Sequence, residues 1–427
     1  MASENKRLRI AITGGGLAGA TLINALMKYP HIDVHIYKSA PEFSERGTAV
    51  GLAKNSQNAL DEIGPSVKDA LVAAGAVSMN STRGAIASGP NAGKIIFDLV
   101  ADVPPQGVHR AAFLKQLLAP VPREVMHNNK KLVKVEDAAD GSIVLFFKDG
   151  SKEYADLLVG ADGVHGYVRE HILGADHPAL QPTFAGFWDC RALVPFSKAK
   201  EVLGEECFKE HRRYVWSGDG GMFMHDVLDN GKMVQCVASK VTDEDWDPKE
   251  WKRDLDRETL ENAFASWTNS PIVKNMIEVK LNDHQLLLQN PELQAFAQWD
   301  HHINAPTFYR GRVCVIGDSA HAMTPYHGAG AGQAIEDVMI LETLLGEVKE
   351  PSQLDAAVKA YDEVRRPRVQ RVVQSSNSTG RIMCGKGPDV GLDVDKLRAA
   401  LGPRWAFLHE FDQKEHKFRA LASFRGD

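Results

Sequence analysis

The chain has 427 residues, 44% hydrophobic and 25% charged, with a formal net charge of −6 and a pI of about 6.3. That balance fits an ordinary globular protein with a sizeable core and gives no reason to expect nucleic acid or an anionic membrane as partner. No apolar run reaches the roughly 18 residues of a membrane span; Cys190, Cys207, Cys236, Cys314 and Cys384 form no CxxC pair, so neither a zinc site nor a disulfide framework is expected. The polar N-terminus runs directly into a strand with no room for a signal peptide, and the expected setting is reducing and cytoplasmic.

Leu8, Ile10 and Ile12 alternate as a strand should, and Gly14-x-Gly16-x-x-Gly19 follows at once, with a helix from Ala20 through Met27. This is the dinucleotide fingerprint in its required context: Gly14 for the tight turn, Gly16 for close approach to a pyrophosphate, Gly19 for helix–strand packing. A second strand, Val34 to Tyr37, ends about 20 residues further on, where an acid normally accepts from the adenosine ribose. Here that position is Lys38, which cannot accept. Three readings stay open: Lys38 points to solvent and Glu42, Glu45 or water serves the ribose; Lys38 meets a 2′-phosphate and makes the site NADP-selective; or nucleotide binding is weakened.

Arg46, before the glycine-rich strand Gly47 to Leu52, is placed to reach a phosphate or else to sit on the surface. Helices are predicted over 55–63 and 66–74. Arg110 opens an amphipathic helix carrying Phe113, Leu114, Leu117 and Leu118, a good position for a phosphate or ribose contact. Strands are predicted over 132–135, 143–147 and 155–159, with a hairpin turn at Asp149-Gly150. The last runs into Gly160-Ala161-Asp162-Gly163, where Asp162 is a further candidate nucleotide contact beside the plain-turn reading.

Residues 176 to 285 change character. Strand-like runs over 186–194, 213–217, 221–227 and 233–238 are separated by turns such as Asp229-Asn230-Gly231, which predicts an antiparallel sheet. Leu260, Phe264 and Trp267 at helical spacing read as core. The block sits between two halves of a nucleotide domain and is expected to form the substrate lid, since pockets favour such boundaries. The division expected is 1–175 and 286–350 for the nucleotide domain, 176–285 for the insert, and 351–427 for a C-terminal helical region.

Val313 to Ile316 reads as a buried strand feeding Gly317-Asp318, then Pro325, then Gly328-Ala329-Gly330-Ala331-Gly332, then a helix with Ile335, Val338, Leu341 and Leu344 on one face. Strand, glycine-rich turn and helix start present backbone N–H groups to an anion. The Asp318 carboxylate could accept a ribitol or ribose hydroxyl, and His321 reads as structural. Residues 350 to 385 read as one long helix that Pro367 should kink or restart. Its basic cluster around Arg365, Arg366 and Arg368 reads as surface or interdomain, and the tail from Pro388 as mostly helical.

Three motifs in this order, Gly14 to Gly19, Gly160-Ala161-Asp162-Gly163 with Arg169, and Gly317-Asp318 with Pro325, Gly328, Gly330 and Asp337, resemble the FAD-dependent aromatic hydroxylases over about residues 6 to 375. The nearest likeness is to the salicylate hydroxylase branch, through Arg191 to Pro195 and Pro325 to Ala331. The resemblance implies an α/β fold: a Rossmann-like FAD-binding domain of the para-hydroxybenzoate hydroxylase type with an inserted antiparallel-sheet substrate domain and C-terminal helices. It implies that Gly14, Gly16, Gly19, Arg46, Arg110, Asp162 and Asp318 hold FAD, with the loop carrying Gly328, Gly330 and Ala331 against the flavin, and Lys38 at the ribose position. Gly166 departs from a frequent serine, and Asp226 stands about where some relatives place a tyrosine.

The chemistry implied is hydroxylation of a phenol or aromatic acid with NAD(P)H and O2 through a flavin C4a-hydroperoxide, coupled to decarboxylation where the substrate is salicylate-like. A phenolate is the better target, so a base or cation is needed. Candidates are His225 (or its neighbour Asp226, which a strand turns to the other face), Arg191 as a carboxylate clamp, and Tyr326 with His327 beside the flavin loop. The rivals are an NADP-dependent dehydrogenase, a flavin-dependent dehydrogenase, reductase or oxidase on the same scaffold, and a degenerate non-catalytic homologue. No metal is expected, and the assembly expected is a monomer or homodimer.

Overall fold

The computed structural model describes residues 7–43, 49–210, 212–228, 231–267, 270, 272, 276, 287 and 293–427. The apolar alternation at the start of the chain produces the central strand of a six-stranded sheet. Its order is Tyr309–Arg310, Val313–Val315, Leu157–Gly160, Leu8–Thr13, Ile32–Tyr37, Met126–His127. All neighbours pair in parallel except the first two. Ile10 and Ile12 are almost wholly buried here, and each such side chain contributes roughly 1.5–3 kcal/mol. The helices Leu17–Leu26 and Gly330–Glu347 cover this sheet; the second is buried nearly all round, including Val338, Leu341 and Leu344.

The sheet expected from the middle of the chain as antiparallel has eight strands and is mixed: every neighbouring pair is antiparallel except Arg212–Gly218 with Ser81–Ile86, which run parallel. Their order is Lys252–Asp254, Gln294–Asp300, Thr183–Pro195, Met233–Val241, Gly221–Leu228, Arg212–Gly218, Ser81–Ile86, Ile95–Val100. It is not confined to 176–285. Ser81–Ile86 and Ile95–Val100 come from the first part of the chain, and Gln294–Asp300 from beyond the insert. Alternation signals a strand but carries no information about which distant strand pairs with it. One face packs on Leu260, Phe264 and Trp267, the core stripe expected. The other face turns toward Tyr326 and the end of the long helix. The Asp149-Gly150 hairpin joins Ile143–Phe147 to Lys152–Ala155 in a separate three-stranded sheet.

The long helix spans Leu354–Met383 without interruption, with Pro367 on its exposed side. The expected restart is absent. The basic cluster also departs from the surface reading: Arg365 is fully buried. The tail is helical over Val394–Leu401, Ala406–His409 and Gln413–Arg425. Among the described residues no helix is long and apolar enough to cross a membrane, and no His/Cys/Asp/Glu cluster could hold a metal.

Candidate active site

The three glycine-bearing turns meet at the carboxyl ends of the parallel strands, around a groove of about 950 Å³. Gly14 has φ +107°, and a Cβ there would fall 1.9 Å from the Ala161 carbonyl oxygen. A Cβ at Gly19 would fall 2.0 Å from the Gly14 carbonyl oxygen. The first turn is therefore closed to any side chain, and Gly16 caps the helix whose N-terminus opens on the groove. Lys38, Arg110 and Asp318 line the same space, as do Gly328, Gly330 and Ala331 from the second turn. Asp318 is exposed to it. Arg46 lies outside the described residues.

Lys38 folds back over the first turn. Its Nζ lies 3.4 Å from the Gly15 carbonyl oxygen and 5.7 Å from the centre of the Phe43 ring. Asp162 lines the groove, yet its carboxylate is committed to the protein. One oxygen accepts from the Val168 N–H at 3.1 Å and the other from Ser319 Oγ at 2.9 Å. Burial raises its pKa. The carboxylate thus ties the Gly160 turn to the Gly317 turn. Gly166 belongs to this arrangement, since a Cβ there would fall 2.1 Å from Asp162 Oδ1.

The Gly317–Gly332 segment is held from beneath by a buried ion cluster. Asp337 accepts from the Gly317 N–H at 2.9 Å, from His321 Nε2 at 2.6 Å and from Arg365 Nε at 2.8 Å. Arg365 also donates to Glu336 at 2.7 Å, and Asn55 and Arg368 donate to the same glutamate. His321 is structural, as expected. Ser376, on the long helix, donates to the Thr324 carbonyl at 2.6 Å. That contact fixes the turn Pro325–His327, which ends in the left-handed Gly328.

Pro325, Gly328 and Gly51 line both the groove and a smaller, mostly apolar cavity of about 100 Å³. Met79, Phe97, Leu99, Val215, Met222 and Met224 form much of its wall, with Tyr326 and His327 on the loop side. Tyr326 packs at 4.8 Å on Phe187, and burial pushes its hydroxyl pKa well up. His327 Nε2 lies 2.8 Å from Ser375 Oγ, and burial, then the Arg404 charge, lower its pKa to about 4.

Two candidates from the sequence do not reach this cavity. His225 points to the opposite face of the sheet from Met222 and Met224. It stacks on Tyr214 at 5.2 Å, and burial drives its pKa down to about 3. The alternation rule separated His225 from Asp226 without saying which of them faced the loop. Arg191 is bound to the Asp189 carboxylate and lies over Phe296, away from the cavity. The cavity wall instead carries Arg213, whose Nε and Nη2 donate to Asp226 at 3.0 and 2.7 Å, and Lys54. The sequence held a partial signal, Arg213 and Asp226 on successive predicted strands, but their pairing depends on register.

The residues present fit FAD. The groove has the size of a large-ligand site, two helix N-termini face it, and a glycine stands at each close approach. Residues 7–376 match the family model described as FAD binding domain. The chain is 35% identical over 430 residues to 6-methylsalicylate 1-monooxygenase of Aspergillus terreus, covering 98% of this chain and 93% of the relative. It is 31% identical over 442 residues to salicylate hydroxylase of Pseudomonas putida, covering 98% and 96%. Among solved structures, a salicylate hydroxylase substrate complex superposes with a TM-score of 0.83 at 26% identity, over 97% of this chain and 98% of the other. The match spans both glycine boxes as parts of one domain, which disfavours the dehydrogenase reading of Lys38. The chain belongs to the FAD binding domain family, and within it to the FAD-dependent monooxygenases.

Proposed function

We propose that the protein hydroxylates a phenolic aromatic acid of the salicylate class, using NAD(P)H and O2. The observation that carries this reading is the apolar cavity opening onto the cofactor groove across Gly51, Pro325 and Gly328. FAD, when bound and reduced, supplies the activation of O2. Gly14, Gly16, Arg110 and Asp318 would hold its nucleotide portion, and the Gly328–Ala331 backbone would face its ring system.

The chain's own contribution is shape, dryness and proton placement. The methionine and phenylalanine wall excludes water from the reacting ring, which suppresses unproductive loss of the activated oxygen. Methionine also adapts to differently substituted rings. His327 is neutral above about pH 4, with Nε2 engaged by Ser375 and Nδ1 buried, so it lines the loop side of the cavity as an uncharged ring. Tyr326, kept protonated by burial, supplies a fixed ring edge beside it. The assignment of FAD contacts to these residues, and the domain division that goes with it, belong to the same proposal.

The test is the visible spectrum of the purified protein before and after FAD addition, followed by turnover with salicylate. The expected result is a flavin band that survives gel filtration and salicylate-dependent NAD(P)H oxidation that yields a hydroxylated product. No retained flavin after reconstitution, or hydrogen peroxide release equal to NAD(P)H consumption with no product, would overturn it.

A further inference from the structure

Much of the cavity lining comes from the eight-stranded sheet and the Pro325–His327 turn, but Trp405 and His409 come from the C-terminal tail. They lie on a 3-10 turn, Gly402–Trp405, and on the short helix Ala406–His409 that follows it. This segment is fixed to the long helix Leu354–Met383 at several points. Arg404 donates to Ser378 Oγ at 2.7 Å and to Thr379 Oγ1 at 3.1 Å. Arg368 donates to the Phe407 carbonyl at 3.3 Å, and the Arg371 guanidinium lies 4.3 Å from the centre of the Phe407 ring. Leu408 is buried in a small cluster with Val372 and Ala329. The preceding helix, Val394–Leu401, is tied to the edge strand Ile95–Val100, where Arg398 donates twice to the Ile95 carbonyl at 2.9 and 3.0 Å.

Trp405 is the immobile part of this lining. It is buried and wedged between two rings, Phe97 at 5.4 Å and His327, nearly perpendicular to it, at 5.6 Å. Phe97 is itself seated on bare backbone: a Cβ on Gly84 would fall 2.3 Å from its ring. A large ring packed against two others, in an interior of ordinary density, has nowhere to move. Met79, Met222 and Met224 also line the cavity, and their unbranched side chains change shape at little cost. A substrate with an added ring displaces methionines more easily than the tryptophan.

We propose that Trp405 sets the size limit of the substrate site and restricts it to single-ring aromatics, excluding fused two-ring ones. The proposal rests on the monooxygenase reading above. It gives the C-terminal tail a part in choosing the substrate, through the bulk of one side chain held between the edge strand and the flavin loop.

The experiment measures binding to the FAD-loaded enzyme by the perturbation of flavin absorbance. The probes are salicylate and 1-hydroxy-2-naphthoate, which carries the same hydroxyl and carboxylate on two fused rings. The wild type should bind salicylate at least about tenfold more tightly, the effect of overpacking a rigid wall. Trp405→Ala should bring the ratio of the two dissociation constants to about one or below, weaken salicylate by about three- to tenfold through lost contact, and retain FAD. Trp405→Phe and Trp405→Leu should fall between, in order of side-chain bulk, and they carry the comparison if the alanine variant does not fold. A merely structural tryptophan would weaken both probes together and leave the ratio fixed. An unchanged ratio across the series, equal wild-type affinity for the two probes, or loss of FAD in every variant would overturn the proposal. A wild type that hydroxylates both probes alike would sink the size limit and leave the monooxygenase standing; binding and turnover of neither would sink both.

Discussion

The Arg365 guanidinium meets the Asp337 carboxylate at 2.8 Å with neither side chain exposed to solvent. Through Asp337 the pair reaches the Gly317 N–H, the residue before Asp318 and the start of the loop that borders groove and cavity. Burial alone would raise the Asp337 pKa, but the His321 and Arg365 charges reverse that and lower it. Removing the Asp337 charge leaves Arg365 with Glu336 alone and weakens the hold on His321 and the Gly317 N–H, so Asp337→Asn should cost roughly 1–3 kcal/mol of unfolding free energy. Urea titration measures the loss. A fluorimetric FAD titration should show weaker binding in the same variant, because the loop loses its anchor; unchanged FAD affinity would mean that the loop is held by Ser376 and Thr324 alone.

Lys38 lines the groove at the end of the second strand, its Nζ 3.4 Å from the Gly15 carbonyl oxygen. Lys38→Glu exchanges a donor for an acceptor at the end of the second strand. FAD affinity should rise by the value of a charge-assisted hydrogen bond, roughly 1.5–3 kcal/mol. Isothermal titration of the flavin-free protein reads the change directly. An unchanged dissociation constant would show that other groups already satisfy the ribose, and that Lys38 is a bystander.

What the sequence made legible follows from what local patterns encode. The first strand, the Gly14 turn and the Gly317 turn were readable because glycine spacing and alternation are short-range constraints imposed by backbone sterics. The Asp149-Gly150 hairpin was readable for the same reason. Arg365 was misread because a charge cluster looks the same whether its acids lie in solvent or on a distant helix; its partners Glu336 and Asp337 are nearly thirty residues away. Arg213 was missed because its importance depends on the register that sets Tyr214 opposite His225. Asp162 was read from motif position as a nucleotide contact or a plain turn; it lines the groove, and its ties to Val168 and to Ser319, more than 150 residues away, were not legible because the second depends on tertiary packing.

The placement of Arg191 yields an expectation opposite to that of a carboxylate clamp. Its guanidinium is engaged by Asp189 and stacked on Phe296, outside the cavity. Arg191→Met should therefore change KM for aromatic acids and neutral phenols alike, each by less than about twofold, because the pair with the buried Asp189 lies outside the cavity. Steady-state kinetics with salicylate and phenol decide it. A selective rise in KM for the acid would return Arg191 to the substrate site.

His225 turns its burial into a pH dependence. Its ordinary pKa near 6.5 falls to about 3 in the folded chain because the ring is sealed among Tyr214 and Phe208 with no described hydrogen-bond partner. The unfolded chain binds the proton more readily than the folded one. Stability is therefore fully present above about pH 6.5 and declines as pH falls toward 3, by roughly 1.4 kcal/mol per unit. His301, His327 and His416 are depressed too, so absolute acid sensitivity does not isolate one ring. The comparison with His225→Phe does, since phenylalanine keeps the aromatic stack and cannot titrate. Between pH 7 and pH 5 the variant should gain about 2 kcal/mol relative to the wild type, read from paired urea titrations. Parallel losses in the two proteins would show that water or a hydrogen-bond partner reaches His225 and that the ring is not sealed.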